Sequence, residues 1–142
     1  MYQRKREKGL WIARLLIGLV LFLNVQCAIA FLIAPQDYAR GFEIEGVGGR
    51  VMVSGLGLLF LMRNVPYAAA LWRPRQHLLS LVEAITMQSI GLCGEAILLS
   101  TVPVGHTALR LAAKRFIIFD SSGLFLLLLA FALVRGKFKH VP

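Results

Sequence analysis

Residues 77–103 read HLLSLVEAITMQSIGLCGEAILLSTVP, an apolar stretch long enough to cross a bilayer, for which about 20 residues suffice. It also carries Glu83, Gln88 and Glu95. A charge near the bilayer centre costs at least ~2.5 kcal/mol, so such residues face protein or a watery cavity. The stretch therefore needs neighbours. Three further apolar runs supply them, and the four together predict spans over roughly residues 10–34, 50–72, 78–100 and 116–134.

The chain has 142 residues, of which 58% are hydrophobic, against about 45–50% for a soluble domain. The runs account for the excess and leave little sequence over for a separate soluble domain, so residues 1–142 read as one membrane domain. The expected fold is an all-α, antiparallel bundle of four transmembrane helices. The net charge of +9 would suggest a polyanion partner in a soluble protein. Here the cations flank the runs, so topology accounts for them and no nucleic-acid partner is expected.

The first run starts like a signal peptide after the basic tail of residues 1–8. It then continues to Ala34, past the 7–15 apolar residues of a signal core, and reads as a retained span. Beside the spans, ten cations (Arg4, Lys5, Arg6, Lys8, Arg14, Arg73, Arg75, Arg135, Lys137, Lys139) fall on one side and five (Arg40, Arg50, Arg110, Lys114, Arg115) on the other. That excess puts both termini in the cytoplasm, with the chain multi-pass in the inner membrane of a prokaryote.

In the second span Arg50, Ser54, Gly57, Leu61, Asn64 and Ala68 follow a 4-3-4-3-4 spacing, which places small and polar residues on one face for close packing. Pro66 is expected to kink it. In the third span Ser80, Ala84, Gln88, Gly91 and Glu95 share a face, beside a stripe of Glu83, Met87, Ile90 and Gly94.

At 1.5 Å per residue from the 73–76 turn, Arg63 lies ~14 Å and Glu83 ~10 Å deep. The matched depth predicts a structural ion pair between them, against separate snorkelling to the surface. A second polar level forms further out. Glu95 falls ~27 Å from the inner end, and Asn24, Arg50 and Asp120 reach a similar height. Two readings stay open there: a lock neutralised by nearby cations, or an outward pocket with Glu95 and Asp120 as proton or ligand sites. Glu95 is expected to be the more buried acid, with Asp120 nearer the outer interface.

Cys27 and Cys93 lie in apolar runs at similar depth with no CxxC. They fit either a bridge or, by the nature of buried thiols, two inert groups. His77, His106 and His140 all sit at span ends or beyond, which argues against haem ligation inside the membrane and against a metal centre. No phosphate loop, nucleophile elbow or zinc spacing is present, so no catalytic residue or cofactor is expected.

The order of features resembles small four-helix bacterial membrane proteins, the DoxX-like and related uncharacterised groups. The matching parts are FLIAPQDYARGF, the glycine-bearing GGRVMVSGLGLLFLM, a short basic turn, and a last span after a polar loop. The resemblance implies a fold and carries over no functional residue. Small multidrug-resistance transporters also have four spans, but keep their essential glutamate in the first, which here holds no acid. The leading reading is a non-enzymatic accessory or assembly subunit of a membrane complex. The alternative is a homodimeric, proton-coupled carrier using Glu95 and Asp120. The bilayer is the one partner common to both.

Overall fold

The computed structural model describes residues 2–135, and of residues 2–6 the backbone alone. The counted cations Lys137 and Lys139, with His140, lie outside the described residues, as do the side chains of Arg4, Lys5 and Arg6. Among the described residues all regular structure is helical: α1 (Tyr2–Ile33), α2 (Pro35–Ala39), a 3-10 turn (Arg40–Phe42), α3 (Gly46–Arg63), α4 (Val65–Trp72), α5 (Leu78–Thr101) and α6 (Thr107–Arg135). Four segments are long and apolar enough to cross a membrane: Glu7–Ile33, Gly46–Trp72, Leu78–Thr101 and Thr107–Arg135.

The second span is two helices. Pro66 has no N–H to give to Met62, so the ladder breaks at Asn64, which sits between α3 and α4. Asn64 covers part of the break by donating its side-chain amide to the Phe60 carbonyl at 2.6 Å. The break also leaves Arg63 in the last turn of α3, where a cation meets the negative end of the helix dipole.

The spans form a ring. α1 packs against α3, α4 and α6, and α5 packs against α4 and α6. The inward stripes follow helical spacing: Ala13, Ile17, Val20, Asn24, Ala28 and Phe31 in α1, then Leu81, Ala84 and Gln88 in α5, and Asp120, Gly123, Leu127, Ala130 and Val134 in α6. In the second span the buried line is Gly49, Val53, Gly57, Asn64, Tyr67 and Ala70. Only Gly57 and Asn64 are shared with the face expected from the small and polar residues. Gly49, Val53 and Tyr67 each lie one residue before an expected member, so the packed face is turned the same way on both sides of the break, and Val53 and Tyr67 are large residues that the small-residue rule passes over. At Gly57, α1 and α3 come so close that an added Cβ would stand 2.9 Å from the Ala28 carbonyl oxygen and 3.0 Å from Leu32.

Two apolar clusters result. One, called inner because it lies toward the start of α1 and the end of α6, joins Ala13, Ile17, Val20, Tyr67, Ala70, Leu81, Ala84, Leu127, Ala130 and Val134. The outer one centres on Phe31, Ala39 and Val53, with Phe42, Phe60 and Phe116 packed around them. Phe31 has Tyr38, Phe42, Phe60 and Phe116 edge-on at 4.8–6.1 Å, the geometry that ring quadrupoles favour.

α6 begins at Thr107, nine residues before its expected start. Residues 107–115 read as a basic amphipathic turn ahead of the apolar run, through Arg110, Lys114 and Arg115, yet they form the first turns of the helix. A latch holds this end. Glu43, in the left-handed conformation at φ 55, turns its carboxylate onto His106 at 2.5 Å and accepts the Leu109 N–H at 3.2 Å. The His106 hydrogen bond, then that of Leu109, holds the Glu43 carboxyl below its usual range. Arg110 donates to the Leu99 and Val102 carbonyls and so caps the end of α5.

Candidate functional site: a polar layer across the bundle

Between the two apolar clusters, each inward stripe passes through a polar residue: Asn24 in α1, Asn64 in the second span, Gln88 in α5 and Asp120 in α6. All four are buried. Gln88 is the hub. Its Nε2 donates to Asp120 Oδ1 at 2.9 Å and to the Asp120 carbonyl at 3.3 Å. Its Oε1 accepts from the Tyr67 hydroxyl at 2.5 Å and from Arg63 Nη2 at 3.4 Å. A glutamine has two donors and two acceptor sites, and this one fills all four. Tyr67 also lies 3.2 Å from the Ala84 carbonyl.

Arg63 Nη2 reaches Asp120 Oδ1 at 3.5 Å, with Asp120 fully buried and Arg63 20% exposed. Its guanidinium also lies over the Phe60 ring, 4.7 Å from the centroid, a contact that stabilises a cation held away from water. The expected partner of Arg63 was Glu83, and the structure pairs it with Asp120 instead. Glu83 is exposed, because it sits five residues before Gln88, about 140° round the helix at 3.6 residues per turn. Depth arithmetic matches height but not direction.

The outer group divides in the same way. Asn24 and Asp120 are in the layer. Glu95, two turns beyond Gln88 on the same stripe, is half-buried at its edge, within electrostatic reach of Asp120 and Arg63. Arg50 is exposed near the start of α3, 13 residues or about 20 Å from Arg63. There it lines a cavity of about 330 Å³ with Gln36, Arg40 and Glu45. The order of burial is the reverse of that expected: Asp120 is sealed and Glu95 is not. Counting five residues from Arg115 put Asp120 near the interface, whereas the true helix start at Thr107 puts it about 20 Å along α6.

The two halves of the layer are satisfied to different degrees. On the Gln88 side the hydrogen bonds are complete. Away from it, Asp120 Oδ2, Glu95 Oε2, Arg63 Nε, Asn64 Oδ1 and both amide atoms of Asn24 are buried without a protein hydrogen-bond partner. The Asn24 amide lies within electrostatic reach of the Tyr67 hydroxyl, but without hydrogen-bond geometry to it. Gly91 faces this side, and a Cβ there would stand 2.7 Å from Asp120 Oδ2 and 3.2 Å from Arg63 Nη1. At Gly123 a Cβ would stand 2.7 Å from Gln88 Nε2. Both glycines let the helices close on the pair.

Sequence reasoning missed Tyr67. The available signal was a hydroxyl one residue past Pro66 in an otherwise apolar stretch, three residues after Asn64 on one face. Cys27 and Cys93 are both free thiols, half-buried and exposed respectively, and Cys27 lies within electrostatic reach of Arg63 and Asp120. No group of three or more His, Cys, Asp or Glu able to hold a metal exists among the described residues. Compared with known proteins, the chain matches no family model, no curated protein and no solved structure.

Proposed function

We propose that the chain is a non-enzymatic accessory or assembly subunit of a membrane complex, its four spans locked by the polar layer and its α5 presented outward to a partner. The observation that carries this reading is the outer stripe of α5. Glu83, Thr86, Ile90, Cys93, Ile97 and Ser100 follow a 3-4-3-4-3 spacing, and all six are exposed. That is the seam spacing of paired helices. Four of the six are polar or thiol-bearing, which a face turned to lipid alone does not need. The ten-to-five cation count supports a cytoplasmic position for both termini.

The test is a photo-crosslinking residue at position 90, compared with one at Phe125, which is exposed on α6. In native membranes position 90 is expected to give a discrete larger species and position 125 none. No adduct from positions 83, 90 or 97 would sink the proposal. Impermeant thiol labelling in a background lacking Cys27 and Cys93 tests the orientation. A cysteine at position 45 is expected to label from outside, and one at position 74 not.

A second reading, a proton-coupled carrier, is favoured by the unpartnered oxygens of Asp120 and Glu95. Under it, Glu95→Gln leaves the folded amount intact and removes proton flux in proteoliposomes. Under the subunit reading there is no flux to remove.

A further inference from the structure

We infer that the inner end of the bundle holds an anionic phospholipid, its phosphate on Arg14, Arg73 and Arg75 and an acyl chain in the groove between α1 and α4. Two cavities meet at Arg14. One, of about 250 Å³, is lined by Arg14, Arg73, Arg75 and Gln76 together with Leu10 and Pro74. The other, of about 670 Å³, runs along α1 from Trp11 past Gly18 to Phe22, with Leu71 and Trp72 as its far wall. Among the described residues, no acidic side chain lines either cavity.

Arg14 is not placed at random. It donates to the Trp72 carbonyl at 3.1 Å, at the last residue of α4. That bond fixes its height at the 73–77 turn, where the chain leaves the second span. Arg73 is held on the same turn by its bond to Gln76 at 2.9 Å. The charged cavity therefore lies at headgroup level and the apolar one below it. From Arg14 to Phe22 the groove descends about 12 Å at 1.5 Å per residue. Gly18 leaves it open, since a Cβ there meets only Leu71, at 3.5 Å.

Trp11 and Trp72 stand at its mouth, 64% and 74% exposed, at the depth where indole rings favour the interface. Basic pockets at the ends of membrane helices bind anionic headgroups by this division of charge and apolar surface. A second copy of the chain does not suit the site, because it would set arginines against arginines.

The chain has two tryptophans, and both line the groove, so their fluorescence reads its occupancy. The full-length protein is placed in phosphatidylcholine vesicles, and a small fraction of either brominated phosphatidylglycerol or brominated phosphatidylcholine is added. Phosphatidylglycerol is expected to give a saturable excess of quenching, half-complete at a mole fraction about a hundred-fold lower than phosphatidylcholine requires. Each arginine is expected to contribute about five-fold. The R14Q/R73Q/R75Q variant is expected to lose the preference while retaining the quenching by phosphatidylcholine. R73Q, on the exposed turn, is expected to shift the midpoint about five-fold, and it carries the test if the triple variant does not fold. G18L is expected to weaken the saturable phase by filling the groove with the charges in place. Equal quenching by the two lipids in the unaltered protein overturns the proposal, as does an undiminished preference in the arginine variants. Relief of the quenching by millimolar soluble glycerol phosphate would identify a site for free phosphate and overturn the lipid assignment.

Discussion

The inner and outer halves of the bundle are held by different means. The inner half packs small and branched aliphatic side chains, with Ala13, Ala70, Ala84 and Ala130 bringing backbones close. The outer half packs few but large rings around Phe31. Lipid is as apolar as either, so neither half gains from leaving it, and association rests on packing and on polar contacts. The Glu43–His106 latch closes the outer end beside Phe42. The polar layer lies between the two halves and sets the register of both.

The largest expected effect breaks that register. Asp120→Ala leaves Arg63, 20% exposed beside Gln88, with its charge uncompensated, which is expected to cost about 3 kcal/mol, the low end of the range for a fully buried pair. Unfolding in a denaturing detergent, followed by far-ultraviolet circular dichroism, would show it. Adding Arg63→Ala is expected to recover part of the loss, whereas Arg63→Ala with Glu83→Ala is expected to be additive. Additivity in the Arg63 and Asp120 pair would dissolve the layer as a unit.

Next comes Phe31→Ala, expected to cost about 2 kcal/mol. That is less than the 3–5 of a water-soluble core, because lipid removes the transfer term and leaves the cavity. The loss should fall on the outer half, so amides of residues 40–45 should exchange faster while those of residues 81–88 hold. Equal acceleration in both halves would show a single core. Gly91→Ala is expected to cost about 1–3 kcal/mol by overpacking against Asp120 and Arg63, read in the same denaturation.

The smallest effect is at the latch. The Glu43 carboxyl is held below its ordinary range, so its contribution is complete above that range and fades as pH falls through the lowered value. Protection of the amides at residues 102–109, taken relative to the intrinsic exchange rate at each pH, should therefore fall on acidification, and Glu43→Gln should flatten the dependence. A profile unchanged by that substitution would assign the effect elsewhere.

The fold was largely legible because a bilayer leaves a chain of this composition few options. Gln88, Gly91 and Glu95 were placed on one face by spacing alone, and Asn24 and Asp120 were visible as polar breaks in apolar runs. What did not follow was direction. Arg63 and Glu83 agree in height, but pairing also needs the azimuth of each helix, and that depends on neighbours far along the chain. The start of α6 was hidden for a related reason: Arg110, Lys114 and Arg115 interrupt the apolar run, and hydropathy separates that basic turn from the helix it begins.

Arg63 and Asp120 are 57 residues apart, and this separation bears on how the protein is made. At about 5–20 residues per second of synthesis, Arg63 is complete roughly 3–11 seconds before its counter-ion exists. For that interval the second span carries an unneutralised guanidinium that the bilayer centre disfavours. The break at Asn64 offers a means of waiting, since α3 and α4 can enter separately, with Arg63 at a helix end near the surface. On this hypothesis a chain ended before Asp120 leaves its second span partly outside the membrane. An impermeant reagent should then modify a cysteine at position 62 in the truncated chain and spare it in the full one. Equal protection in both would mean that the span is seated before its partner arrives.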